Sequence, residues 1–163
     1  MKSLLILRHA KSSWGNSYLS DHERPLNGRG KVDAPRMGQL LKEEELIPDL
    51  IISSTAERAM ATAEAVALAC DYEDEIQFTR RFYHADPETY IEMLGTVSDE
   101  HECVMVVGHN PGMQELVAWL TDVDTRFTTA NIAHVHLPIQ SWQEMNEEVT
   151  GELINLWRPK EVD

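Results

Sequence analysis

Three short apolar runs in this 163-residue chain each lead into residues that can do chemistry. Leu4 to Leu7 runs into Arg8-His9. Leu50 to Ser53 continues through Ser54-Thr55 to Arg58, in the first turn of an expected helix. Val104 to Val107 runs into Gly108-His109-Asn110-Pro111-Gly112. In open α/β sheets ligands bind beyond the carboxyl ends of the strands. If these strands are neighbours, two arginines and two histidines converge there beside one or two helix N-termini. Arginine offers a rigid fork of donors matched to phosphate oxygens and stays charged, and helix N-termini add backbone donors. A neutral imidazole is a competent nucleophile toward phosphorus. The set suits a phosphoryl group, with one histidine attacking and the other donating a hydrogen bond to a phosphate oxygen. The arginines supply the charge that Mg²⁺ supplies elsewhere, so neither a metal nor another cofactor is called for.

The elements that must hold these residues alternate along the chain. The continuous apolar runs at 4–7, 50–53 and 104–107 read as strands buried on both faces. A helix is expected from about Gly28 to Glu44, with Val32, Arg36, Gln39 and Leu40 at helical spacing, although Pro35 fits best in a first turn. Ala56 to Ala69 forms a second helix, with Ala59, Ala63, Val66 and Cys70 on one stripe. Ile76 to Phe78 reads as a short strand. Asp86-Pro87-Glu88 opens a helix with an acidic N-cap, and Asn110-Pro111 opens another. Ile132 to Leu137 and Leu153 to Trp157 complete the strands. The pattern is that of one α/β domain over 1–163 with a largely parallel sheet.

Charge sharpens the expectation. Fourteen Lys and Arg stand against 28 Asp and Glu, a net charge of −14. Residues 1–36 hold seven of the cations and three acids, net +4, which leaves −18 on the rest. Such an acidic chain repels nucleic-acid backbones and anionic membrane surfaces. No run reaches the roughly 20 apolar residues of a membrane span, and Arg8-His9 interrupts the N-terminal run, so a cytoplasmic location is expected. Cys70 and Cys103 read as buried thiols. His134 and His136 share a strand face but have no third ligand spaced with them, and His101 sits among Asp99, Glu100 and Glu102.

Leu7-Arg8-His9-Ala10 resembles the Arg-His-Gly signature of the histidine phosphatase superfamily, the phosphoglycerate-mutase-like proteins. The small, SixA-type phosphohistidine phosphatase branch is similar over nearly the whole chain. The similarity is carried by residues 8–14, by Asp21-His22-Glu23-Arg24-Pro25-Leu26-Asn27 and by Asp49 to Ser54, then by Val107 to Gly112 and Leu156-Trp157-Arg158-Pro159-Lys160. The resemblance implies a three-layer α/β/α sandwich, with His9 as the phosphorylated nucleophile. Arg8 and Arg58 would cradle the phosphoryl oxygens, His109 would complete the pocket, and Arg24 would approach the same phosphate. Ala10 replaces the signature glycine, and Lys11 stands where mutase-like members often carry an acid. Gly15 stands where a phosphate-binding asparagine is common, which leaves Asn16 as its neighbouring substitute.

The proton donor is less defined: His84 and Asp86 are the candidates, with Asp86 also the N-cap of its helix. A phosphoramidate leaving group needs little help from an acid, which agrees with phosphohistidine as substrate. A chain this short has little room for an inserted lid, which favours a phosphoryl group displayed on a protein such as a phosphorelay domain. The rival readings are a small-molecule phosphomonoesterase, a phosphate-binding module without turnover, and a metal-dependent hydrolase built on His134 and His136.

Overall fold

The computed structural model describes residues 1–162. Six strands, β1 (Lys2–Arg8), β2 (Leu50–Ser54), β3 (Gln77–Thr79), β4 (Cys103–Gly108), β5 (Ile132–Leu137) and β6 (Glu152–Trp157), form one sheet in the order β3-β2-β4-β1-β5-β6. Strands β3, β2, β4 and β1 pair in parallel, whereas β5 runs antiparallel to both β1 and β6. Four helices cover the faces: α1 (Gly28–Glu43), α2 (Glu57–Ala69), α3 (Pro87–Leu94) and α4 (Gly112–Thr121). Among the described residues no helix is long and apolar enough to cross a membrane.

The alternation of side chains along the strands divides the core in two. Leu5, Leu7, Ile51, Met105 and Val107 pack with α1 and α2, while Leu4, Ile6, Ile52, Val104 and Val106 pack with α3, α4 and the buried Tyr90 and Trp142. This is the three-layer α/β/α sandwich expected of the sequence, and the central strands β1, β2 and β4 carry continuous apolar runs because neither of their faces meets water there.

Helix α1 departs from the expectation in two ways. Pro35 lies inside it, on the exposed face, where water can meet the carbonyl that the missing N–H leaves unpaired. Of the expected stripe only Leu40 is buried: Val32 is 59% exposed and Arg36 and Gln39 are exposed, whereas Gly30, Ala34, Met37, Gly38 and Leu41 join Leu40 inside. Gly30, Ala34 and Gly38 recur every four residues and let the helix lie against backbone. A Cβ at Gly38 would stand 2.6 Å from the Val66 carbonyl oxygen and 2.7 Å from Ala69 Cβ, and one at Gly30 would overlap the Lys11 carbonyl. Small residues set how closely this face approaches, beside the apolar Met37, Leu40 and Leu41. Asn27 caps the helix by accepting a hydrogen bond from the Gly30 N–H at 2.9 Å.

Smaller corrections concern single residues. The short third strand starts one residue later than expected, at Gln77. Cys70 is buried, but Cys103 is only partly so.

Replacing Gly38 by alanine gains about 1 kcal/mol of helix propensity and incurs an overpacking cost of about 1–3 kcal/mol. Gly38→Ala is therefore expected to lower the urea midpoint; a raised midpoint would show that α1 can step back from α2.

Candidate active site

The site is set by strand register. Arg8 pairs with Gly108, and Val107 with Ser53, so β1, β4 and β2 end level and the residues just beyond them share one rim. The His9 N–H donates to the Gly108 carbonyl at 3.0 Å, which locks the two strand exits together. Thr62 ties the next segment down: its hydroxyl accepts from the Ala10 N–H at 2.9 Å and donates to the Arg58 carbonyl at 2.7 Å. The antiparallel β5 enters at this same end, and its preceding loop supplies the Phe127 carbonyl that accepts from Arg8 Nη1 at 3.1 Å. The loop from Lys11 to Asn27 folds back on itself through Ser13 N–H to Pro25 carbonyl, 2.8 Å, and Asn27 N–H to Lys11 carbonyl, 3.0 Å.

These elements enclose a cavity of about 310 Å³ lined by Arg8, His9, Arg24, Arg58, His84 and His109, with Trp14 at its mouth. The His9 and His109 rings lie 5.1 Å apart. His9 is 7% exposed, and its Nδ1 lies 2.7 Å from the Ala10 carbonyl oxygen. A carbonyl only accepts, so Nδ1 carries the hydrogen and Nε2 keeps its lone pair. His109 Nε2 is 2.8 Å from Ser54 Oγ, while its buried Nδ1 has no partner among the described residues. Burial, together with the Arg58, Arg8 and Arg24 charges, lowers the His9 pKa to about 3 against the pull of its Ala10 hydrogen bond. Burial and the neighbouring His9 and Arg58 push His109 down to about 2. Both imidazoles are therefore neutral at ordinary pH.

Asp21 organises the cationic wall. Its carboxylate accepts from Arg24 Nη1 at 2.8 Å, Arg58 Nη2 at 3.0 Å and the Tyr83 hydroxyl at 2.5 Å, with His84 Nε2 at 3.5 Å. Partial burial disfavours its charge, but the hydrogen bonds from Tyr83, Arg24 and Arg58 outweigh that and hold its pKa well below the usual carboxylate range. Arg58, 4% exposed, also donates to the Asp21 carbonyl at 2.6 Å. Arg24 donates to the Ser13 carbonyl and the Ser12 hydroxyl and lies 3.3 Å above the Trp14 ring. Burial and Arg58 lower the pKa of Arg8, whose Nε is buried without a partner among the described residues.

Two of the residues singled out in the sequence stand away from the cavity. Asn16 is exposed, and its side chain accepts from the Tyr18 N–H at 3.0 Å instead of facing the pocket. Asp86 precedes α3 at the N-cap position, but its side chain makes no capping bond; its backbone carbonyl receives the Thr89 N–H at 3.0 Å. His84 does line the cavity, held at φ 54° with its ring 6.0 Å from that of His109.

Three contributors escaped the sequence reading. Asp21 was visible as part of a charged loop but not as the shared acceptor. Tyr83 and Ser54 carry no signal beyond their neighbourhood. His22 is tied in as well: its Nε2 lies 2.9 Å from Thr55 Oγ1 and its ring meets Tyr83 edge-on. His134 is buried, stacks on Trp157 and neighbours His136. No cluster of three His, Cys, Asp or Glu able to hold a metal occurs among the described residues.

The model of the histidine phosphatase superfamily (branch 1) matches residues 4–86. An uncharacterised chloroplastic protein of Arabidopsis thaliana is 32% identical over 152 residues, covering 88% of this chain and 70% of that relative. A solved protein from Agrobacterium tumefaciens, named for the phosphohistidine phosphatase SixA, superposes with a TM-score of 0.83 at 29% identity, over 97% of this chain and 98% of its own. A protein histidine phosphatase SixA bound to tungstate shares the fold, with a TM-score of 0.82 at 24% identity over 97% of each chain. The chain belongs to the histidine phosphatase superfamily. It is a phosphatase, a hydrolase of that superfamily.

The neutral histidines predict a pH signature. An unfolded histidine binds its proton near pH 6.5, whereas His9 and His109 do so only near pH 3 and pH 2 when folded. Below pH 6.5 the unfolded state therefore takes up more protons, and stability falls as the pH falls. In urea titrations between pH 6.5 and 4.5, His109→Asn should show a shallower loss than the parent, by up to about 1.4 kcal/mol per pH unit. Equal slopes would mean that His109 is protonated in the folded protein.

Proposed function

We propose that this phosphatase works without a metal, through a phosphohistidine formed on His9, and that its substrate is a phosphohistidine displayed on a protein. The observation that carries the mechanism is the Ala10 carbonyl bound to His9 Nδ1, which leaves a neutral Nε2 among three arginines. The Nε2 lone pair attacks phosphorus. The bond from phosphorus to the substrate imidazole breaks, and that imidazole leaves with a proton. Water then attacks the phosphorus on His9, releasing inorganic phosphate and restoring the neutral ring.

Arg8 and Arg58 stabilise charge on the equatorial oxygens, with Arg24 beside them and His109 as the opposing ring. Preset donors in a partly enclosed cavity cost no reorganisation as charge develops. Three guanidinium groups at one pocket supply the positive charge for which many phosphoryl-transfer enzymes recruit Mg²⁺. In this reading His84 gives the leaving group its proton, supported by its place in the cavity lining and by Asp21, 3.5 Å from its Nε2. Asp86 is left with a position at the helix start.

The substrate reading rests on two supports. The SixA-named neighbours match over almost their full length, so neither carries a large insertion that this chain lacks. The pocket also opens between surface loops, with Trp14 79% exposed at its mouth.

The experiment compares hydrolysis of a phosphohistidine-bearing phosphorelay protein with a panel of sugar phosphates, for the parent and for His9→Ala. The phosphohistidine protein should be preferred, and the variant should lose about 10⁴-fold or more in kcat. Preferred turnover of a sugar phosphate would move the substrate to small phosphomonoesters. Full activity in His9→Ala would remove the nucleophile.

A further inference from the structure

A second cavity, of about 410 Å³, opens beside the first and shares Arg8, Lys11 and Thr129 with it. Its walls carry Arg8, Lys11, Arg29, Arg126, Arg158 and Lys160 against two carboxylates, Asp33 and Glu161. Six of the chain's fourteen Lys and Arg thus gather at one trough in a protein of net charge −14.

The two carboxylates are already engaged, Asp33 with Arg29 at 3.2 Å and Glu161 with Arg158 at 3.7 Å. Among the described residues Lys11, Arg126 and Lys160 have no ion-pair partner.

The trough is assembled by topology. Because β6 is antiparallel to β5 and β5 to β1, the exit of β6 returns to the catalytic end of the sheet, where Trp157 pairs with Ile132 and Ile132 with Leu7. Arg158 therefore stands two strands away from Arg8 on the same rim. Its Nη2 donates to the Arg126 carbonyl at 2.8 Å and to Thr125 Oγ1 at 3.3 Å, which pins the loop that carries Arg126. The Trp157-Arg158-Pro159-Lys160 segment and Arg126 take no part in the chemistry proposed at His9.

Unneutralised cations repel one another, and this chain has twice as many acids as bases to pair them with. Their concentration beside the catalytic pocket is matched by an anion that arrives with the substrate. We propose that this trough is a specificity subsite for a second anionic group carried next to the reacting phosphoryl. On a protein substrate, which rests on the reading above, that group is a cluster of carboxylates flanking the phosphohistidine. On a small molecule the same chemistry would be a second phosphate.

The test uses two synthetic peptides with one phosphohistidine each, flanked by glutamates or by glutamines, and the exposed double variant Arg126→Gln/Lys160→Gln. The parent should favour the glutamate peptide by about tenfold in kcat/KM, a margin that shrinks as salt is raised. The double variant should lose that margin while keeping the parent's rate on the glutamine peptide. No preference in the parent, or the same preference in both proteins, overturns the subsite.

A second arm separates this from the choice of substrate. If neither peptide is hydrolysed, the phosphohistidine reading has failed, and inhibition of a chromogenic phosphomonoester's hydrolysis decides the subsite alone. Tripolyphosphate should then inhibit the parent more strongly than orthophosphate, and by a smaller margin in the double variant. An unchanged margin overturns the subsite.

Discussion

Three guanidinium groups and two imidazoles packed around one cavity repel one another, and the way that repulsion is relieved governs the site. Protonating the imidazoles would add two buried charges to the same wall, so burial and the nearby arginines keep both rings neutral. Arg24 and Arg58 share a single carboxylate, Asp21, which the Tyr83 hydroxyl also holds. One acid fixes two arginines without filling the pocket, whose lining it does not join. Each group then carries the charge that the proposed chemistry needs: cations to receive oxyanions, and at His9 a neutral ring with a free lone pair.

That arrangement depends in turn on the sheet. Level endings of β2, β4 and β1 bring Ser54, His109 and Arg8-His9 to one rim, and a slip of one residue would turn every side chain to the opposite layer. The reversal at β5 brings the Phe127 loop and the β6 exit to the same rim, and with them Arg126 and Arg158. Close packing of α1, through Gly30 on the Lys11 backbone and through Gly38 on Val66 and Ala69 of α2, backs the rim from behind. The fold thus sets the distances, and the charges set the protonation states.

Much of this was legible in the sequence, for definable reasons. Buried parallel strands announce themselves as continuous apolar runs, so the central strands and an α/β domain with a largely parallel sheet followed from pattern, while the three-layer order came from the family resemblance. Arg8, His9, Arg58 and His109 were legible because each sits just past such a run. Asp21 was not, because its role depends on the return of a long loop across the sheet end, which no local spacing encodes. The α1 stripe was mostly misplaced, Leu40 apart, since part of its contact face is made of small residues that carry no apolar signal. Asn16 was assigned to the pocket by neighbourhood to Gly15, yet its side chain closes a local turn toward Tyr18. Of the two candidate donors only His84 lines the cavity, at a positive φ that local spacing does not announce.

The central claim is that a neutral His9, fixed by the Ala10 carbonyl, takes the phosphoryl group on Nε2. Rapid acid-free quenching during turnover, followed by NMR of the phosphorylated imidazole, tests it directly. The account predicts one base-stable, acid-labile phosphoryl group on His9 Nε2. A phosphoryl group on Nδ1 or on another residue, or turnover with no phosphoenzyme when hydrolysis of the intermediate is made rate-limiting, would contradict it.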